Sequence, residues 1–165
     1  MLVLKEFLAT AKHKVIYYND IGIQSYQWQG KKPTVLLVHG WESNSYRWKD
    51  LIKKLKSEDY NIISIDAPAH GNSGSKIFNA ILYSECIHVV INHFNIHTII
   101  GHSVGGTASA IALHNYKISA VKKLISLGAP ANFIALVKNY RKMMGFNKTV
   151  MKAMDAYYFK HFGHL

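Results

Sequence analysis

One serine in this chain is boxed between glycines, in the stretch "IIGHSVGGTASAIAL" that runs from 99 to 113. Gly101-His102-Ser103-Val104-Gly105 follows an apolar run and precedes a small-residue helical pattern. A sharp turn from strand to helix at that point would push the Ser103 hydroxyl out of a sheet, and the flanking Gly101 and Gly105 would keep side chains out of the tight bend. The helix start would also aim free N–H groups and the positive end of its dipole at developing negative charge. The chemistry that suits this is nucleophilic attack on an acyl group, with the oxyanion held by backbone amides. A plain small-residue strand–helix turn, of the kind nucleotide-binding folds use, has the same local pattern, so the flanking sequence has to decide.

Two more loops bear on the choice. "HGW", His39 to Trp41, ends an earlier apolar run. A backbone N–H there can reach the same space as the N–H of Val104, and losing one donor of such a pair can cost roughly 3–4 kcal/mol of transition-state stabilisation. The simpler reading is a strand-end turn with a partly buried His39. "DAPAHGNSG", Asp66 to Gly74, ends the next apolar run. Its Gly, Pro and Asn content predicts an ordered loop. Asp66 and His70 have the residue types of a catalytic pair, but both precede the serine and belong to a different strand, so they are expected to brace the loop.

The elements that must position these loops alternate in type. "VIYYND" and "IGIQSYQWQG" read as a hairpin turning near Asn19-Asp20. "PTVLLVHG", "YNIISIDAP", "IHTIIG" and "VKKLISLGAP" are short continuous apolar runs, as expected of strands buried on both faces. Between them lie helical patterns: "NSYRWKDLIKKLKSEDY" with Ser43 or Asn44 as cap, "NAILYSECIHVVINHF", and "SVGGTASAIALHNY". Strands alternating with helices predict an α/β fold, a mostly parallel sheet flanked by helices on both faces. From Ala131 the rhythm breaks. "NFIALVKNYRKMMGF" and "NKTVMKAMDAYYFKHFG" read as two helices separated at Gly145, the second capped by Asn147 and carrying a stripe of Val150, Met151, Met154, Tyr157, Tyr158 and Phe162.

The set "LLVHGW", "IDAPAHGNSG" and "GHSVGG", in this order and spacing, resembles the α/β-hydrolase superfamily, and most of all its esterase- and lipase-like branch with an HGW loop. The likeness covers roughly Lys14 to Pro130. It implies an α/β-hydrolase core of some six N-terminal strands over residues 1–130, followed by the start of a helical cap over 131–165. It implies Ser103 as nucleophile, with Trp41 and Val104 as backbone oxyanion donors; the elbow with its two flanking loops points to a serine hydrolase that cleaves a carboxylic ester of a small or acyl-chain substrate through an acyl-enzyme. Thioester, amide and carbon–carbon substrates stay open, because the same elbow serves them.

The family order is Ser, then Asp or Glu, then His. Past Ser103 the only acid is Asp155, and the histidines are His114, His161 and His164. His114 lies three turns along the elbow helix, and Asp155 and His161 are six apart on a helix and so on different faces. The triad acid and His are therefore unassigned. The expectation is that the sequence is the N-terminal part of a longer hydrolase, and the alternative is an inactive fragment that at most binds a ligand or complements a partner chain. Without further strands "VKKLISLGAP" would be an open sheet edge, which invites association.

Composition narrows the class further. The chain has 165 residues, 49% of them hydrophobic and 18% charged, as a globular domain does. No apolar run nears the ~20 residues of a membrane helix, and Lys5 and Glu6 interrupt the first apolar patch, so neither a span nor a signal peptide is expected. Cys86 is alone, which excludes an internal disulfide. A cytoplasmic location, no cofactor and no metal are the expectations. The net charge is +11, with 9 basic residues against one acid beyond Ser103. That asymmetry raises an anionic membrane surface or nucleic acid as partner, but no nucleic-acid motif accompanies it, and a solvated basic face is the expected role.

Overall fold

The structure is a computed structural model, and it describes residues 2–129 and 145–162. The helix expected over 132–144, with Met143 and Met144, lies outside the described residues, as does His164. By internal contacts the chain divides into Met1–Ala129 and Pro130–Leu165.

In the first unit a helix, α1 (Leu2–Ala9), leads into the hairpin β1 (Lys12–Tyr18) and β2 (Ile21–Trp28), which turns at Asn19-Asp20. Then come β3 (Lys32–Val38), a 3-10 turn (Ser45–Trp48), α2 (Lys49–Ser57), β4 (Tyr60–Ile65), α3 (Ala80–His93), β5 (Ile96–His102), α4 (Val104–Tyr116) and β6 (Lys123–Leu127). The six strands form one sheet in the order β1-β2-β4-β3-β5-β6. β4, β3, β5 and β6 run parallel, and β2 is antiparallel to both its neighbours. This is the α/β class the alternating pattern predicts.

Period-two alternation builds a core on each face. Leu36, Val38, Ile63, Ile65 and Ile99 pack with Tyr83, Ile87, Val90, Ala108 and Ala112 of α3 and α4. Their neighbours Val35, Leu37, Ile62 and Ile100 face the other way, onto Leu8 of α1, Trp48 and Ile52. The sequence pattern missed α1, whose Phe7 stacks on Trp28 at 5.7 Å between ring centroids. Local capping matches local chemistry. Asn44 takes the Tyr46 N–H at 3.0 Å, and Asn79 takes the Leu82 N–H at 2.8 Å. β6 is the last strand of the sheet, and Ile125 and Leu127 on it are exposed. In the second unit α5 (Lys148–Phe162) starts at Asn147, whose side chain accepts the Val150 N–H at 2.9 Å.

What positions the elbow is a near-contact of bare backbone. A Cβ on Gly105 would lie 2.3 Å from the His39 carbonyl oxygen and 2.7 Å from that of Val38. Helix α4 can therefore approach the end of β3 only without a side chain at that point. Gly105→Ala is expected to cost roughly 1–3 kcal/mol and to lower Tm by roughly 5–10 °C, because backbone must move to admit the methyl group. Gly128→Ala is the comparison: Gly128 has φ +59 but no atom within 4 Å of an added Cβ, so only conformational strain of about 1 kcal/mol is expected. Equal melting shifts in the two variants would contradict the packing argument.

Candidate active site

Ser103 sits between β5 and α4 with φ 52 and ψ −129, a left-handed backbone that a non-glycine residue adopts only when its surroundings impose it. Three attachments impose it here. Its N–H donates to the Leu127 carbonyl of β6 at 2.9 Å. Its carbonyl accepts from Gly106 N–H at 2.9 Å and Thr107 N–H at 3.3 Å, which starts the helix. Gly101 packs on Gly106, where a Cβ would come within 2.6 Å of the Gly106 Cα. The Ser103 side chain is half-buried and does not cap the helix. Val104 follows as the first residue of α4, where an N–H has no acceptor within the helix.

The HGW loop comes close to this bend. A Cβ on Gly40 would lie 3.0 Å from the Ser103 Cβ and 3.0 Å from His102 Nδ1. The structure thus brings Trp41's loop, Ser103 and Val104 to one end of the parallel strands. His39 is fully buried and fixes the loop from beneath. Its Nδ1 lies 2.6 Å from the Gly40 carbonyl oxygen, and its Nε2 accepts the Ala67 N–H at 2.9 Å. A carbonyl can only accept, so Nδ1 carries the proton and the ring is neutral. Burial holds the His39 pKa down to about 4, against the opposing pull of the Gly40 bond and the Asp66 charge.

Asp66 is the second anchor. It is buried and accepts from the Tyr26 hydroxyl at 2.9 Å, the Ser45 N–H at 2.8 Å and the Asn72 N–H at 2.9 Å. Its carboxylate is thus taken up in tying the β4 loop to β2 and to the 3-10 turn. Burial, and then the Asp66 charge, push the Tyr26 hydroxyl pKa up. His70 lies on the same loop and is hydrogen-bonded to Pro68 and Glu42. Neither residue is hydrogen-bonded to Ser103.

Among the described residues no histidine is hydrogen-bonded to the Ser103 hydroxyl, and no group of three or more His, Cys, Asp or Glu is placed to hold a metal ion. His114 is exposed in the last turn of α4, and Asp155 lies on α5 in the other unit. The local sequence pattern does not point to Tyr26 as partner of Asp66, since they are 40 residues apart. It also missed His102, whose buried Nδ1 has no hydrogen-bond partner and whose pKa is lowered by burial and then by the Arg47 charge.

The neutral His39 makes folding pH-dependent with a definite sign. Between the free imidazole value of 6.5 and about 4, the unfolded chain binds a proton that the folded chain does not. This stability is fully present above pH 6.5 and is lost as pH falls, by about 3 kcal/mol on reaching pH 4. His39→Gln is expected to be less stable at neutral pH and to show a shallower loss toward pH 4 in denaturant titrations. Parallel stability–pH curves for the two proteins would contradict the buried neutral ring.

Known proteins share this fold. The family model for the alpha/beta hydrolase fold matches residues 33–157. The pimeloyl-[acyl-carrier protein] methyl ester esterase of Vibrio vulnificus (strain YJ016) is 29% identical over 112 residues, which is 67% of this chain and 42% of that protein. An esterase from Exiguobacterium antarcticum superposes with a TM-score of 0.65 at 28% identity, over 73% of this chain and 46% of its own. The epoxide hydrolase VrEH1 from Vigna radiata superposes with a TM-score of 0.66 at 18% identity, over 76% of this chain and 40% of its own, and so shares the fold. The chain spans less than half the length of these relatives. Among the described residues no helix is long and apolar enough to cross a membrane. With a mostly parallel six-stranded sheet and a family match over most of its length, the chain belongs to the alpha/beta hydrolase fold family.

Proposed function

We propose that Ser103 is the nucleophile of a serine hydrolase that cleaves a carboxylic ester. The observation that carries this reading is the left-handed bend at half-buried Ser103, with Gly40 packed close to the Ser103 Cβ and helix α4 starting at the next residue. Strain of this kind persists where the surroundings over-determine it, and it clusters at reacting groups. The similar proteins from Vibrio vulnificus and Exiguobacterium antarcticum are both named as esterases, which supports ester as the bond broken.

In this reading the reaction runs through an acyl-enzyme. Ser103 Oγ attacks the carbonyl carbon and gives up its proton to a base. The carbonyl oxygen becomes an oxyanion that Trp41 N–H and Val104 N–H receive, helped by the positive end of the α4 dipole. Collapse expels the alcohol, protonated by the same base, and leaves an acyl-enzyme, which water then hydrolyses. The base and the acid that orients it are not assigned to residues of this chain. The segment 131–165 takes the part of a cap in this reading.

Incubation with a fluorophosphonate is expected to add one phosphonyl group to the chain, at Ser103 by peptide mass mapping. Ser103→Ala is expected to abolish the adduct and to lower turnover of an activated aryl ester by at least roughly 10³-fold, with melting unchanged within a few degrees. Intact Ser103 after prolonged exposure, or ester turnover unaffected by Ser103→Ala, would overturn the assignment.

A further inference from the structure

The loop that approaches Ser103 is pinned on both sides of Trp41, each time by an imidazole. On one side His39 donates to the Gly40 carbonyl, the oxygen of the peptide whose nitrogen is Trp41's. On the other, Glu42 N–H donates to His70 Nε2 at 3.1 Å, which fixes the next peptide. Because these peptides are trans, holding the oxygen of the first turns the Trp41 N–H to the opposite side. Glu42 itself has φ 51, a left-handed conformation that costs a non-glycine residue roughly 1–2 kcal/mol and needs an outside hold. The His70 bond supplies one.

His70 is built for this task. Its Nδ1 lies 2.8 Å from the Pro68 carbonyl, so Nδ1 carries the proton and Nε2 keeps the lone pair that Glu42 N–H requires. The ring is held edge-on by Phe78, at 4.7 Å between centroids, and by His39, at 5.7 Å. The backbone beneath it is closed by His70 N–H to Ala67 at 3.0 Å and by Ser73 N–H to the His70 carbonyl at 3.0 Å. That backbone in turn rests on the Asp66 hub, through Asn72 N–H to the carboxylate and the Ser73 hydroxyl to the Asp66 carbonyl at 2.7 Å. The β4 loop therefore reaches the outer part of the β3 loop, beyond Trp41, through the half-buried His70 ring, while the buried His39 ring joins the two loops beneath it.

We propose that His70 is a positioning residue of the site: its Nε2, by holding the Glu42 N–H, keeps the 39–42 loop in the shape that presents the Trp41 N–H to the oxyanion formed at Ser103. This rests on Ser103 being the nucleophile. His70 touches no reacting atom in this scheme and acts only through the loop.

Two variants separate the bond from the packing. His70→Phe keeps an aromatic ring against Phe78 and removes the acceptor, whereas His70→Gln places an amide oxygen near where Nε2 stands. Amide hydrogen exchange of Glu42 is expected to quicken at least ~10-fold in His70→Phe and to return toward wild type in His70→Gln, with Leu36 and Ile63 in the sheet unchanged. Ser103 phosphonylation is expected to slow roughly 10–100-fold in His70→Phe and to recover in His70→Gln. Imidazole ¹⁵N spectra of the wild type should show His70 protonated at Nδ1 and bare at Nε2. A protonated Nε2, or Glu42 exchange unchanged in His70→Phe, would overturn the bond as a brace. Faster Glu42 exchange with undiminished phosphonylation would overturn its service to the site. Failure of the wild type to be phosphonylated, with Glu42 protected as described, would instead count against Ser103 as nucleophile, and the positioning role would fall with it.

Discussion

The arrangement depends on one steric constraint: the end of β3 and the start of α4 meet backbone to backbone. Carbonyl oxygens of Val38 and His39 occupy the space that a side chain on residue 105 would need. With glycine there, the helix begins close against the sheet, and the chain between β5 and α4 must reverse within about one residue. Ser103 is that residue, and its left-handed backbone is the consequence. The same closeness brings Gly40 up to the bend, so the loop after β3 and the first turn of α4 border one space. Packing at a buried contact thus decides where a hydroxyl and two peptide groups stand relative to each other.

A second layer holds the loops that the packing brings together. Asp66 gathers hydrogen bonds from β2, from the 3-10 turn and from its own loop, and as a carboxylate it does so with charge-assisted strength. His39 and His70 then link the β4 loop to the β3 loop, both as neutral rings whose tautomer is dictated by a carbonyl on one nitrogen. The division of labour is physical. Burial suppresses charge on His39, which suits a ring placed beneath the loop. His70 stands at the rim, half-buried, where a bond to one N–H shapes a loop without being needed by the core.

Much of this was legible in the sequence because it is encoded locally. The apolar runs at 33–40 and 60–68 and the small residues after Ser103 specify strand, strand and helix at short range, and the α/β class follows from their alternation. The bend at Ser103 was legible for the same reason, since a strand, two glycines and a helix start all lie within a dozen residues. Chain order points to a bracing role for Asp66, but not to its partners. Tyr26 and Ser45 reach Asp66 only through the register of β2 beside β4 and the course of the β3–α2 connection, which no local pattern reports. Helix α1 was missed because its apolar residues, read as sequence, have no partner until Trp28 and Tyr46 are placed beside them. The base is likewise not legible, because Asp155 and His161 are six apart in one helical pattern and His114 lies three turns along the elbow helix.

The central claim is that the strained bend at Ser103 and the loop at Trp41 form one receptor for negative charge. A crystal structure of the phosphonylated chain tests it most directly, since the phosphoryl oxygen stands where an oxyanion would. The account predicts that oxygen within about 3 Å of both the Trp41 and the Val104 nitrogen, with Ser103 still at positive φ. A phosphoryl oxygen turned away from both amides, or Ser103 relaxed into ordinary helical backbone, would contradict it.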